Sequence, residues 1–594
     1  MCGILGFNWK DEELAASLAK SIEHRGPDSS GFYCDENLSL GQQRLSIIDL
    51  SPAGNQPMIS EDENYYIIYN GEIFNFRVLR RELEKKGYKF FSNCDTEIVL
   101  KSYMEYGKKA LQKLNGQFAF CIYDKKQQTL FLARDRIGIL PLYYYFDGKR
   151  FIFGSELKVI LGSGIKKSIN KDSMYYYFLY GHTPAGRSII EDAYKLLPGH
   201  YLIFDLKKSR IIENERYWNI NFSQEISDES IAKKQLLEKL DNSVKSRMIA
   251  DVHVGAFLSG GLDSSLVTAI ASKYSRHINT FSVRFDKDDF DESGYSRLVA
   301  KKLGTKHHIV EFSAKDVIKL IPELVYHYDE PFGDPSMVPM YLVSRVAAQS
   351  VKVALSGDGG DELFGGYSSY SHLASLNFQY YYPNFINRIL LNLPVGEKYK
   401  TYLEIGCQKY KYPALMGLLK PSDFKKMTGK SPESYYMEYS KKKIIKTLNQ
   451  AIGNDLQNYL SADILAKVDR ATLGNSLESR PPILDHEIIE FSCRLSQNLK
   501  KKGKIGKYIL KKTAEGILPK EIIYRKKMGF GVPLKHYLNN ELNPLIQKHI
   551  IDFKGHSYIN KAFVKSIKRD NGRDFSKVIW SIIMFNLWWD RWMG

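Results

Sequence analysis

Cysteine is scarce, with six in 594 residues, which excludes a fold built on disulfides. No Cys/His cluster has the spacing of a structural zinc site, so no structural metal is expected. Long apolar runs are missing too. The longest, Tyr65–Tyr69 and Val578–Leu587, fall short of the roughly 20 residues of a membrane helix, and Ser581 and Asn586 interrupt the second. The opening MCGILGFNWKDEE has no charged segment before its apolar run. No signal peptide is read there, and a cytoplasmic enzyme without a membrane partner is expected. With 44% hydrophobic and 26% charged residues, the chain has material for large cores and is not a disordered type.

The net charge is +18, and basic residues gather from Lys500 to Lys512 and at Arg525, Lys526 and Lys527. Such runs read first as a solvated face. No RNA-binding motif accompanies them, so no nucleic-acid partner is expected.

The first third alternates short apolar runs with turn signals, at Ile4–Phe7, Tyr65–Tyr69, Phe118–Tyr123, Leu130–Ala133, Leu142–Phe146 and Phe151–Gly154. Helical periodicity interrupts them at Arg77–Lys86 and Thr96–Tyr106. This predicts an α+β sheet domain over residues 1–205. The polar stretch 206–229 reads as a linker. From 230 to 594 the text differs: helix Ser230–Met248, then Val254–Leu258, Ser264–Tyr274, Thr280–Phe285, Tyr295–Leu303 and Val351–Leu355 alternate as strands and helices. That order predicts a parallel α/β sheet, followed by a mostly helical part after Phe364.

Two glycine-rich turns follow strands of this second domain. The first is Ser259-Gly260-Gly261-Leu262-Asp263-Ser264-Ser265, and the second is Ser356-Gly357-Asp358-Gly359-Gly360-Asp361-Glu362. Glycines admit phosphate to backbone N–H groups at a helix N-terminus, and the serine hydroxyls add donors. No GK[ST] element is present, so this is not a Walker loop. In an open parallel sheet both turns would face one crevice, where Asp263 and Asp361 suit Mg²⁺. SGGLDSS resembles the signature of the PP-loop ATP pyrophosphatases, and SGDGGDELFGGY resembles their asparagine synthetase branch. The resemblance implies ATP and Mg²⁺, with an ATP site over Leu258, Ser259, Gly260, Gly261, Asp263, Ser264, Ser265, Val283, Ser356, Gly357 and Asp358.

At the other end, Cys2 follows the initiator Met, and removal of that Met would leave its α-amine as a base for its own thiol. His24-Arg25-Gly26-Pro27-Asp28, Arg44-Leu45-Ser46, Asn70-Gly71-Glu72 and Asp95 accompany it. The set resembles the class II glutamine amidotransferases, which implies an N-terminal nucleophile (αββα) fold. In that resemblance Cys2 attacks glutamine, Asn70 and Gly71 hold the oxyanion, and Arg44 pairs with the α-carboxylate. Glu72 or Asp95 receives the α-ammonium. The other five cysteines, and His24, His307 and His308, read as packing or surface residues.

Joined in this order, the two halves resemble the glutamine-hydrolysing asparagine synthetases along essentially the whole chain. The resemblance implies two domains, ammonia passing internally along an apolar passage, and an acyl-adenylate. The substrates it implies are glutamine, ATP and a carboxylate acceptor, aspartate first. Tyr367, Lys467, Arg470, Arg480 and Lys527 match family positions, Lys527 as the cation on adenylate and pyrophosphate. Asp334, Ser336, Asp358 and Arg480 are the acceptor candidates. Asp358 and Gly360 depart from the family's SGEGSDE pattern, and DEPFGDPS over 329–336 resembles bacterial amidotransferases of other carboxylates. A sugar uronate, a cell-wall peptide or a natural-product intermediate is therefore the alternative acceptor. The oligomeric state stays open, a homodimer being the commonest closed assembly.

Overall fold

Strand Cys2–Phe7 is buried on both faces, and each face has a different partner. Ile4 joins the apolar layer between two sheets, whereas Leu5 and Phe7 meet Ala15 and Leu18 of helix Glu12–Ser21. The computed structural model describes residues 1–594 apart from 379–383, 395, 529–530, 553–557 and 568–572. In the first domain, one six-stranded sheet runs Ala193–Lys195, Tyr143–Phe146, Phe151–Gly154, Cys2–Phe7, Leu38–Arg44, Ser29–Asp35. The second runs Arg210–Arg216, His200–Asp205, Thr129–Arg134, Gly116–Asp124, Tyr65–Ile73, Met58–Ile59. The Phe151 and Phe204 rings stack across them with centroids 4.1 Å apart. Helix Glu12–Ser21 covers one outer face and helix Asp95–Tyr106 the other, giving the expected αββα layers.

The stretch 206–229 is not all linker. Arg210–Arg216 pairs antiparallel with His200–Asp205 as an edge strand of the second sheet. Only Ile211 and Glu213 are half-buried, and the rest of RIIENER faces solvent, so its composition hid the strand.

Helix Glu229–Arg247, capped by the Asp228 side chain, opens the second domain. Its five-stranded sheet is parallel throughout. The order is Lys306–Phe312, Asn279–Phe285, Val254–Phe257, Val353–Leu355, Glu478–Arg480. In chain order that is 3-2-1-4-5, so the direction of travel reverses between Val254–Phe257 and Val353–Leu355. This is where ligands bind in open α/β sheets, and both glycine-rich turns leave from it.

The domains meet through buried polar groups. Arg25 donates from both terminal nitrogens to Asp469, 2.9 Å each, and to Glu156 at 2.8 Å. Arg470 pairs with Asp329 at 3.2 Å and Glu156 at 3.3 Å. Among the described residues, no helix is long and apolar enough to cross a membrane.

Candidate active sites

The reversal point opens into a cavity of about 1280 Å³. Leu258, Ser259, Gly261, Asp263, Ser264, Val283, Ser356, Gly357 and Asp358 line it, together with Asp334, Ser336, Asp361, Tyr367, Lys467 and Lys527. Two expected phosphate-loop residues do not line it. Gly260 makes the turn at φ +73°, and a Cβ there would sit 2.6 Å from the Ser296 nitrogen. Ser265 is buried one turn into helix Leu262–Ala271.

Asp263 starts that helix and Asp361 starts helix Gly360–Phe364. Their carboxylates are bridged by Lys507, whose ammonium contacts Asp263 and lies 2.8 Å from Asp361. Lys527 reaches Asp361 at 2.6 Å and lies over the Tyr367 ring, 4.2 Å from its centroid. The Tyr367 hydroxyl donates to Glu362. Burial pushes the Asp263 carboxyl up against the pull of Lys507. Burial also opposes ionisation of Asp361, but Lys507 and Lys527 outweigh it and hold that carboxyl below the usual range. Among the described residues no group of three or more His, Cys, Asp or Glu is placed to hold a metal. The pair still fits Mg²⁺, which takes one or two carboxylates plus phosphate oxygens, and Asp263 Oδ1 is buried without a hydrogen-bond partner.

Lys507 was hidden in the basic run. Lys500 and Lys507 are both buried, so that run is not uniformly a solvated face. Lys500 donates to Asn449 at 2.8 Å, and burial lowers its pKa to about 8. The one local signal for Lys507 was the adjacent Gly506, where a Cβ would meet the Gly365 carbonyl at 2.6 Å. The loop therefore passes directly under the second glycine-rich turn.

At the far end of the cavity Lys467 pairs with Asp334 at 2.8 Å, and the Ser336 hydroxyl donates to Asp334 at 2.7 Å. Asp463, on a π-turn ahead of helix Leu465–Leu473, has a buried Oδ1 without a partner. Burial, then Asp334, pushes its carboxyl up to about 8.

The second site surrounds Cys2. Its backbone N–H donates to Asn70 Oδ1 at 2.8 Å, while Asn70 Nδ2 is buried without an acceptor. Gly71 follows in strand Tyr65–Ile73, and a Cβ there would sit 2.4 Å from the Gln117 carbonyl, so only glycine fits. Burial raises the Cys2 thiol pKa, and the amine of the retained Met1 opposes it. Arg44 Nη1 donates to the Ser51 carbonyl and to Asn55 Oδ1, 3.0 Å each, so loop 48–55 fixes this guanidinium. Asp95 accepts from the Tyr69 hydroxyl at 2.7 Å and from the Ile73 N–H at 2.9 Å.

Arg480 is not at the acceptor end of the cavity. It is fully buried beside Glu72 and Glu478, 3.1 and 2.5 Å away. Side chains two apart on a strand share a face, so Glu478 and Arg480 both turn toward the first domain. Arg470 lies at the domain interface on Glu156 and Asp329, and the other expected residues assemble in two groups, one around Cys2 and one at the reversal point.

Known proteins give the same division. A family model described as asparagine synthase matches residues 235–590, and a glutamine amidotransferase domain model matches 1–218. The glutamine-hydrolysing asparagine synthetase 1 of Bacillus subtilis is 35% identical, covering 99% of this chain and 96% of its own. Asparagine synthetase 3 of the same organism is 31% identical, over 90% of this chain and 88% of its own. The amidase chry2 of Gibberella zeae is 28% identical, over 92% and 89%. With both domain models matched and such relatives aligned along its length, the chain belongs to the asparagine synthase family, with a glutamine amidotransferase domain at its N-terminus.

Proposed function

We propose that this chain is a glutamine-hydrolysing asparagine synthetase. The observation that carries the proposal is the pairing, in one chain, of a nucleophile beside an orphaned buried donor with an acid- and lysine-lined cavity at a sheet reversal point.

In the glutaminase half, Cys2 Sγ attacks the side-chain amide carbon of glutamine, and the developing oxyanion takes its hydrogen bonds from Asn70 Nδ2 and the Gly71 N–H. The C–N bond then breaks, ammonia leaves with the proton given up by the thiol, and water hydrolyses the thioester to glutamate. Arg44 would meet the α-carboxylate, and Glu72 and Asp95 the α-ammonium.

In the synthetase half, the two glycine-rich turns cradle ATP phosphates. A carboxylate oxygen of the acceptor attacks the α-phosphorus and pyrophosphate leaves. Lys507 and Lys527 stand where negative charge gathers on the departing oxygens, and Tyr367 keeps Lys527 in place. Asp263 and Asp361 are the residues that would hold Mg²⁺, which when bound neutralises phosphate charge. Ammonia then attacks the acyl carbon and AMP leaves. Buried ion pairs such as Arg25–Asp469 close the domain interface to water, which supports internal transfer of ammonia.

Aspartate is the proposed acceptor. Lys467 and Lys577 offer cations, and Asp334, Asp358 and Asp463 offer acids, at one end of the cavity or beside it. Charges of both signs suit an amino acid that carries two carboxylates and an ammonium. The test is incubation with glutamine, ATP, Mg²⁺ and aspartate, with asparagine and pyrophosphate quantified together. Equal amounts of both are expected, and glutamate without either product would refute aspartate as acceptor.

A further inference from the structure

Strand Glu478–Arg480 is the edge of the synthetase sheet, yet its side chains complete a charge cluster in the glutaminase domain. Three carboxylates, Glu72, Asp95 and Glu478, are gathered there, each at most 4% exposed. Arg480 faces them, and while the initiator Met1 is retained so does the Met1 amine, 2.6 Å from Glu478. With Met1 removed, as a Cys2 nucleophile requires, and every carboxylate ionised, three acids face one guanidinium and the cluster holds excess negative charge. A buried excess charge is costly, and an incoming α-ammonium would balance it. Arg480 itself has little freedom. Its Nε donates to Glu478 at 2.5 Å, and its Nη1 donates to the carbonyls of Arg247 and Ile249 at 2.8 and 2.7 Å. Only Nη2 is left to reach Glu72, at 3.1 Å.

We infer that Arg480, although part of the synthetase domain, is a positioning residue of the glutaminase site that holds the Glu72 carboxylate ready for the α-ammonium of glutamine. The inference rests on the reading of Cys2 as nucleophile and Glu72 as ammonium receiver. The titratable and charged groups that act on Glu72 are Asp95 and Tyr69 from its own domain, Arg480 and Glu478 from the strand, and, while Met1 is retained, the Met1 amine. Burial and Asp95 push the Glu72 carboxyl well above the usual carboxylate range, and Arg480 is the strongest opposing pull.

The experiment measures glutamine KM against pH for Arg480→Gln and Arg480→Lys, alongside aspartate KM in the ammonia-driven reaction. Arg480→Gln is expected to raise glutamine KM at least tenfold with kcat within threefold. The acid limb of 1/KM should move to higher pH, because Glu72 then protonates more readily. Arg480→Lys should recover part of the loss. A raised aspartate KM with glutamine KM unmoved would overturn the inference and return Arg480 to the acceptor. If Arg480→Gln does not fold, Glu478→Gln serves instead. It frees Arg480 from its competing carboxylate and should move the limb to lower pH, and an unmoved limb overturns the inference. Cys2→Ala separates the two readings. Glutaminase activity surviving in Cys2→Ala refutes the nucleophile, whereas a dead Cys2→Ala beside an unaffected Arg480→Gln refutes the positioning role alone.

Discussion

Arg25 and Asp469, 444 positions apart, meet fork to fork across the two domains, and Arg25 Nε also donates to the Cys2 carbonyl at 3.2 Å. The same helix, Leu465–Leu473, carries Lys467 into the synthetase cavity. Asp469→Ala leaves a buried guanidinium with Glu156 as its remaining carboxylate. Breaking a buried pair costs about 3–5 kcal/mol, so a clear drop in Tm is expected. Asparagine formed per glutamine consumed should fall as well, because the interface no longer closes. A variant with unchanged Tm and unchanged product ratio would contradict this.

Cys2→Ala should abolish glutamine-driven asparagine formation and leave the ammonia-driven reaction within a few-fold of the parent. The two sites share no catalytic residue, so loss of both activities together would count against the two-site mechanism.

Removing the Lys507 cation should be worse than its place in a basic run suggests. Lys507→Met leaves Asp263 and Asp361 repelling each other without their bridge. Pyrophosphate release is expected to fall at least a hundredfold with either nitrogen source, about 2.7 kcal/mol of lost transition-state stabilisation. Asp361→Asn should stop release likewise. Glutamine hydrolysis measured alone should persist in both.

Gly360→Ser restores the residue of the SGEGSDE pattern, yet here it should harm. A Cβ at Gly360 would lie 2.4 Å from Asp263 Cγ and 2.5 Å from its Oδ1. The carboxylate must shift away, and at least a tenfold loss in pyrophosphate release is expected. Full activity would mean that Asp263 takes another position during turnover.

Asp463 gives a pH signature. Its carboxyl titrates near 3.9 in an unfolded chain and at about 8 in the folded one, burial being the chief cause. Across that window the folded chain keeps a proton that the unfolded chain has released. The group's stabilising contribution is full below about pH 4 and is lost as pH rises through about 8. Asp463→Asn mimics the neutral acid, so it should match the parent near pH 4 and melt several degrees higher above pH 8. Thermal unfolding across pH checks this, and a parent that melts higher above pH 8 would refute it.

Much of the architecture was legible because apolar periodicity and glycine punctuation are local. Val254–Phe257 and Val353–Leu355 with their turns were readable strand by strand. The hairpin Ser29–Asp35 with Leu38–Arg44 was not. LSLGQQR looks polar, yet Gln42 and Gln43 are buried beside the Cys2 strand. Glu478, Arg480 and Lys507 were beyond reach for a different reason. Each has a role fixed by a partner hundreds of residues away, and Gly506 beside Lys507 is the one local trace of it. Arg480 lies away from the cavity, which its motif could not show because it names the residue without saying which face of a three-residue strand it takes.

That strand also limits how the chain can be recombined. Val353–Leu355 leads into the second glycine-rich turn, and the strand beside it carries Glu478 and Arg480. Neighbouring strands lie about 4.8 Å apart, so on the proposed mechanism one hydrogen-bonded ribbon would serve phosphate chemistry on one strand and amide chemistry on the next. A chimera joined at the boundary near residue 218 would bring a foreign Glu72 against the resident Arg480. Grafts between relatives should therefore succeed only where the incoming half still matches that three-residue edge, and the two catalytic halves are inherited as a fitted pair.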